Sequence, residues 1–442
     1  MTRISCRPII LTVNLRESIE QARAAGDLVE VDDPASSHLE MARIAHRRDG
    51  RPVLFTTVSD YPGWRVLAGI ASVRRYFAGA LGVPVERLVH VLVNALEHPA
   101  PPSVVADASC QDVIEPKVDL TRLPILRHFS FDGGRYVSAG ILILNDPDNG
   151  PNVAFHRLMQ LDERRFAARV VEGRGTDTAL RKANEDVPVA VCIGNSLPVL
   201  LAAAMSAPMG VSELAIANAL SPTPLVACRT VPLYVPADCE VVLEGRLTHT
   251  SAPEGPFVDL TETMDFVRPG PVIDIDCITH QRDPIFQALL PGGLEHKLLM
   301  GLPKEPTIMA AVNRRCNCTN VAITPGGASW LHAVVQIDKQ SRDDGRAAIE
   351  AAFRGHGSLK HVIVVDTDVD PFNSSEVEWA IATRFQADRG LLVLTDQPGS
   401  SLDPSASHRP GQKTSTAKMG LDATIPWGGD RSAFEKVHYE AD

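Results

Sequence analysis

Apolar positions along the chain alternate between helical and strand spacing, and the alternation changes character along its length. Residues 15–25 read as a helix, Leu28-Val-Glu-Val31 as a strand, and the pattern through Met41-Ala-Arg-Ile-Ala45 as a second helix. Strand-like runs return at Pro52-Val-Leu-Phe-Thr56 and Val89-His-Val-Leu-Val93, so residues 1–112 are expected to form a small α/β domain. Pro99-Ala-Pro-Pro-Ser103 reads as a linker. Beyond it strand-like runs crowd together at 139–144, 166–171, 188–193, 225–228, 239–244 and 272–276, with turn residues between them. A mainly antiparallel sheet or barrel over 113–306 is predicted, carrying helical insertions at 197–204, where Pro198 sits in the first turn, and at 213–220. The remainder, 307–442, reads as strand (329–337), helix (342–353), strand (361–366) and helix (376–384), an α/β layer.

Composition adds bounds to this picture. A chain of 442 residues with 44% hydrophobic and 22% charged residues can bury sizeable cores. Its formal net charge of -11 opposes broad binding to nucleic acid or anionic membranes. No apolar stretch approaches the roughly 20 residues of a membrane span, and Met1-Thr-Arg-Ile-Ser-Cys6 lacks the features of a leader, so a cytoplasmic protein is expected. The eight cysteines are scattered. Cys316-Asn-Cys318 has no second ligand pair, and reduced structural thiols are the expectation. Asp366-Thr-Asp-Val-Asp370 lacks the glycine and terminal glutamate of a calcium loop and reads as a strand end with solvated acids.

Two motifs carry candidate chemistry: Asn152-Val-Ala-Phe-His-Arg157 and Glu254-Gly-Pro-Phe-Val-Asp259. Arginine grips a carboxylate through a planar fork of donors, and a carboxyl group can hold a relay proton. On an uninterrupted strand, Glu254 and Asp259 would face opposite ways, and Gly255-Pro256 is placed to break that alternation. Loss of CO2 from an unsaturated acid leaves electron density that no side chain accepts, so a cofactor is required. No Walker or dinucleotide fingerprint is present. His156 reads as a packed structural histidine, turned away from Arg157 by strand alternation.

Those two motifs, together with Ala204-Met-Ser-Ala-Pro-Met-Gly-Val-Ser-Glu213, Val235-Pro-Ala-Asp-Cys-Glu-Val-Val-Leu-Glu-Gly245 and Lys418-Met-Gly-Leu-Asp-Ala-Thr424, make the chain resemble the UbiD-like family of reversible, non-oxidative decarboxylases that use prenylated FMN. The resemblance implies an amino-terminal α/β domain, a central split β-barrel that binds the flavin, and a carboxyl-terminal α/β domain through which such enzymes oligomerise. It implies an active site in which Arg157 orients the substrate carboxylate beside Glu254 and Asp259 protonates the product carbon, by way of a covalent adduct between substrate and cofactor. Cofactor contacts are implied for Asn152, Ala154, Phe155, His156, Arg157, Met205, Ser206 and Glu213, with Lys418 at the flavin phosphate. Asn152 and Glu213 match ligands of a divalent ion, usually manganese, with potassium nearby. A flavin prenyltransferase is implied as the supplier of the cofactor.

One departure stands out. Counting forward from Arg157, Gly175 occupies the position where many members carry a metal-binding histidine, and Arg174 precedes it. Either water completes the metal shell or Arg174 takes over part of the phosphate neutralisation. The Phe155-His156-Arg157 form of the motif is similar to members that tailor secondary metabolites, among them the tautomycetin-pathway decarboxylase, and implies an unsaturated polyketide acid as substrate. Two other readings compete: a flavin reductase or oxidase, and a non-catalytic flavin-binding assembly protein.

Overall fold

The computed structural model describes residues 13–208, 210–408 and 414–437; the reading of Met1–Cys6 lies outside them. Two compact units result, Met1–Leu299 and Met300–Asp442.

In the first unit, helix Leu15–Ala24 starts at a capping box in which the Asn14 side chain accepts from the Glu17 amide and the Glu17 carboxylate accepts from the Asn14 amide. A four-stranded sheet follows in the order Val29–Val31, Val53–Phe55, Arg65–Ala68, Ile285–Gln287. Its fourth strand arrives from more than two hundred residues away and pairs parallel to the third, Ile285 opposite Arg65 and Gln287 opposite Leu67. Arg16 reinforces this closure by clasping the buried Glu240 with Nε and Nη2 at 2.7 and 2.8 Å.

A nine-stranded sheet is the largest in the unit, every neighbouring pair in it antiparallel, beside a three-stranded sheet and a two-stranded hairpin. At its centre, the long strands Val241–Glu254 and Arg268–His280 lie side by side, flanked by Val187–Ile193 on one edge and Arg165–Ala168 on the other. Strand Gly150–Phe155 ends the order on one side. Alternate residues of these strands, Leu142, Leu144, Val189, Val191, Leu243, Ile273 and Ile275, join Phe55, Phe166 and Phe286 in one apolar core. Burial of each such side chain stabilises the fold by about 1.5–3 kcal/mol before entropy is counted. The two insertions form as predicted, as helices Leu197–Ala204 and Glu213–Leu220 packed against strand Gly150–Phe155.

Two expectations need correction here. Val89-His-Val-Leu-Val93 is part of helix Leu88–Glu97, not a strand. Leu88, Val89, Leu92 and Ala95 are its buried residues, a helical stripe that outweighs the local strand propensity of the valines. Pro99–Ser103 is also no free linker: the Ala100 amide donates to the Ala215 carbonyl and Asn218 Nδ2 donates to the Ala100 carbonyl at 3.2 Å.

Glu295 supplies a pH-dependent element of this unit. Its buried carboxylate accepts from the Gly69 and Ala71 amides at 2.8 and 3.1 Å, yet burial pushes its pKa up to about 7. The folded state therefore holds a proton that the unfolded chain releases near 4.5, and stability falls as pH rises from about 4.5 to 7. Glu295→Gln is expected to flatten this slope, worth on the order of 3 kcal/mol. Urea denaturation at a series of pH values checks it; an unchanged slope in the variant rules Glu295 out as its source.

The second unit is a mixed five-stranded sheet in the order Asn317–Ile323, His332–Asp338, His361–Asp366, Ser415–Asp422, Leu391–Pro398. Its inner strands are parallel and its outer pairs antiparallel. Helix Asp344–Gly355 makes the crossover that a parallel pair requires. The acids of 366–370 are not uniformly solvated, as the sequence had implied. Asp366 is buried and pairs with the equally buried Arg384 at 3.1 Å, and Asp368 pairs with Arg384 at 2.6 Å. The arginine comes from helix Ser374–Arg384, so strand spacing alone gave no sign of it.

Among the described residues no single helix is long and apolar enough to cross a membrane. Seven described cysteines are free, and no group of three His, Cys, Asp or Glu side chains gathers in a way that would hold a metal.

Candidate active site

Arg157 follows strand Gly150–Phe155 directly, and its side chain enters a nest of acids. Nε and Nη2 donate to the two oxygens of Glu254 at 2.8 Å each, a bidentate fork. Nη2 also donates to Asp265 Oδ2 at 2.8 Å, while Nη1 faces Asp259 Oδ2 at 3.8 Å. The guanidinium lies 5.0 Å from the centre of the Phe257 ring. Burial works against its charge, but the hydrogen bonds and field of Glu254, with Asp265 and Asp259 behind, raise its pKa above the ordinary value.

The local chain explains how acids five residues apart reach one arginine. Glu254 ends the long strand Val241–Glu254, and Gly255 then turns the backbone through φ +103°, a left-handed region favourable only to glycine. Phe257–Val258 begins a short hairpin whose second strand, Met264–Asp265, delivers Asp265 opposite Phe257. The structure thus brings together Arg157, Glu254 and Asp259, as the motifs implied, and adds Asp265. Nothing in the sequence singled out Asp265, because its place depends on hairpin register.

The acids differ in setting. Glu254 is fully buried and also accepts from Tyr136 Oη at 3.2 Å. Asp259 keeps 19% of its side-chain surface, accepts from the Leu260 amide at 2.7 Å through Oδ1, and reaches Arg157 only at 3.8 Å through Oδ2. Glu254 is therefore engaged by the arginine through both oxygens, whereas Asp259 is not hydrogen-bonded to it. His296, one residue beyond Glu295, is also part of this neighbourhood. Its Nδ1 accepts from the Gly292 amide at 3.1 Å, and burial holds its pKa below the ordinary range while the nearby Asp259 pulls it up and Arg157 pushes it down.

Asn152 and Ala154 lie on one side of strand Gly150–Phe155, and Val153 is buried on the other. Glu213 begins its helix under a Ser212 cap and accepts from the Val153 amide at 3.0 Å, which places its carboxylate beside Asn152. It has no cationic partner among the described residues, and burial pushes its pKa up to about 7. A buried acid without a cation is the kind of oxygen ligand that a hard divalent ion takes, and Glu213 with Asn152 would be the residues to hold one. Met205 and Ser206 follow the end of helix Leu197–Ala204, which packs on the same strand.

His156 is buried, with Nδ1 2.9 Å from the Arg169 carbonyl and Nε2 2.9 Å from Thr176 Oγ1. Both ring nitrogens are thus occupied, and burial lowers its pKa, keeping it neutral. Arg174 is exposed at the start of helix Gly175–Lys182. A Cβ on Gly175 would lie 2.1 Å from Asn152 Oδ1, so the side chain of Asn152 fills the space that any larger residue at 175 would need. Gly175→Ala is expected to displace the Asn152 side chain, so that any divalent ion Asn152 would hold should bind about 10- to 100-fold more weakly. Manganese content after dialysis checks it, and undiminished content shows that Asn152 is not a ligand. In the second unit Lys418 is almost fully buried, donates to the Gly357 carbonyl at 2.6 Å and has no carboxylate partner among the described residues.

Comparison with known proteins agrees across the whole chain. Residues 19–96, 103–294 and 297–423 match the amino-terminal, Rift-related and carboxyl-terminal domains of the 3-octaprenyl-4-hydroxybenzoate carboxy-lyase family, UbiD. The chain is 41% identical over 429 residues to the anhydromevalonate phosphate decarboxylase of Methanosarcina mazei, covering 96% of this chain and 98% of that one. It is similar in structure to the UbiD-class enzyme HmfF from Pelotomaculum thermopropionicum in complex with FMN, with a TM-score of 0.91, 35% identity and 97% of each chain covered. The 3,4-dihydroxybenzoic acid decarboxylase of Klebsiella pneumoniae gives a TM-score of 0.90 at 27% identity over 98% of both chains. With family matches over all three segments and an arginine–acid nest at the junction of the two motifs, this chain belongs to the UbiD family of prenylated-FMN-dependent decarboxylases and is a carboxy-lyase.

Proposed function

We propose that this enzyme decarboxylates a small α,β-unsaturated acid non-oxidatively, with Arg157 holding the carboxylate and Asp259 protonating the carbon that loses CO2. One observation carries the reading: the Nε and Nη2 edge of Arg157 is occupied by Glu254 and Asp265, while Nη1 is left facing Asp259. A substrate carboxylate taken up at Nη1 would lie next to the one acid of the nest that is not hydrogen-bonded to the arginine. Glu254 keeps the arginine charged and oriented, and Phe257 and Tyr136 wall off water on that side. When bound, prenylated FMN supplies the electron sink that the side chains lack. Asn152 and Glu213 would hold a divalent ion, manganese in this reading, with potassium as a possible companion, and a flavin prenyltransferase would provide the cofactor. The division into parts 1–112, 113–306 and 307–442 belongs to the same reading and is supported by the three separate family matches.

For the substrate, the 41% identity to an anhydromevalonate phosphate decarboxylase favours an aliphatic unsaturated acid over the polyketide acid expected from the form of the motif. The gallate decarboxylase of Lactiplantibacillus plantarum, at 29%, is a more distant relative. Enzyme co-produced with a flavin prenyltransferase is incubated with anhydromevalonate phosphate, gallate and an unsaturated polyketide acid, and CO2 release is measured. The reading expects the first to be turned over at least about tenfold faster in kcat/KM, a difference of about 1.4 kcal/mol. Preference for either other acid overturns the substrate assignment, and NAD(P)H oxidation without CO2 release overturns the reaction class.

A further inference from the structure

The second unit holds a cavity of about 440 Å³ lined by Thr307, Ala311, Arg314, Arg315, Arg354 and Gly355. It lies where helix Glu305–Asn313 packs on helix Asp344–Gly355, and Thr307 Oγ1 donates to the Gly355 carbonyl at 3.0 Å. No carboxylate lines the cavity, and none of its three arginines has an acidic ion-pair partner among the described residues. Of the other arginines of the unit, Arg346, Arg384 and Arg389 each have one, while Arg342 and Arg431 form no ion pair among the described residues. Arg314 Nε is engaged by the Ala310 carbonyl at 3.1 Å, which leaves its terminal NH2 groups available.

We infer that this cavity binds an anion carrying two or more linked phosphates, at a site separate from the residues assigned to decarboxylation. Three solvent-exposed arginines line one cavity without an acid among its walls, and in a chain of net charge -11 this positive spot runs against the general balance. Planar forks with several free N–H donors match phosphate oxygens in pairs, and one monoanion would leave two of the three charges uncompensated. The volume lies in the range of small-ligand clefts, roughly 300–1,000 Å³, and exceeds what the phosphates alone would fill, so an organic group can accompany them. Cations near helix C-termini are favourable in their own right, as Arg314, Arg315 and Arg354 are here. That effect accounts for each arginine singly, but it requires neither a shared cavity nor the absence of acids from its wall.

The test uses flavin-loaded full-length enzyme, so that the cofactor's own phosphate site is filled, and titrates it calorimetrically with inorganic pyrophosphate, ATP and citrate. Saturable binding of pyrophosphate or ATP at one site per chain is expected, with citrate at least about tenfold weaker. Equal affinity for pyrophosphate and ATP identifies the phosphates as the whole determinant, and tighter ATP binding identifies a nucleotide as the source. Arg354→Gln should weaken binding by about tenfold and Arg314→Gln/Arg354→Gln by about a hundredfold, with melting temperatures unchanged. Arg346→Gln, whose arginine pairs with Glu350, should leave affinity unaltered. Absence of saturation, citrate binding as tight as pyrophosphate, or undiminished affinity in the double variant overturns the inference.

Discussion

Arg157→Ala is expected to lower kcat/KM for CO2 release by about 10³-fold, a loss of about 4 kcal/mol of transition-state stabilisation. Two separate effects arise in this variant, the first on turnover and the second on stability. The substrate loses its cationic anchor, and Glu254, fully buried, loses both donors of a bidentate pair. Removal of one partner from such a pair typically costs about 3–5 kcal/mol, because the remaining charge is left uncompensated. The second effect should therefore appear as reduced thermal stability. Arg157→Lys separates the contributions: it keeps the charge but cannot reproduce the fork to Glu254 or the second bond to Asp265. We expect the lysine variant to regain most of the stability and little of the turnover. Equal recovery of both would show that Arg157 acts as a structural charge only, and the assignment of carboxylate binding would fail.

Asp259→Asn should leave substrate affinity nearly intact and reduce kcat by about 10²- to 10⁴-fold, the usual range for losing a positioned acid. Its side chain is partly exposed and lies 3.8 Å from Arg157 Nη1, so folding depends on it far less than on Glu254. The pair of variants Asp259→Asn and Glu254→Gln thus offers opposite patterns. The first is expected to lose turnover at constant melting temperature, and the second to lose stability together with turnover. Steady-state kinetics and solvent-deuterium incorporation into the product distinguish them. Should Asp259→Asn retain normal turnover, the proton must come from elsewhere, and His296, within the field of both Asp259 and Arg157, would be the group to examine first.

These outcomes depend on contacts that differ in how visible they were beforehand. Arg157, Glu254 and Asp259 were legible because they stand in short motifs whose chemistry is local: a fork, two acids and a glycine between them. Helices Leu197–Ala204 and Glu213–Leu220 were equally legible, since a proline in the first turn and uninterrupted apolar residues leave the chain few alternatives. The valine-rich segment inside helix Leu88–Glu97 was misread, because short apolar runs satisfy both periods until packing chooses one face.

The sequence by itself, through motifs that resemble one family, pointed to the reaction class and to Arg157, Glu254 and Asp259 as candidates, and hydrophobic spacing gave most of the alternation of helices and strands. Only the tertiary structure decided that Asp265 joins Arg157, that strand Ile285–Gln287 completes the amino-terminal sheet, that Arg384 neutralises Asp366, and that Asn152 fills the space over Gly175. Each of these is a meeting of residues from separate segments. Hydrophobic periodicity specifies which face of an element is buried, but partner and register are fixed only when the elements pack.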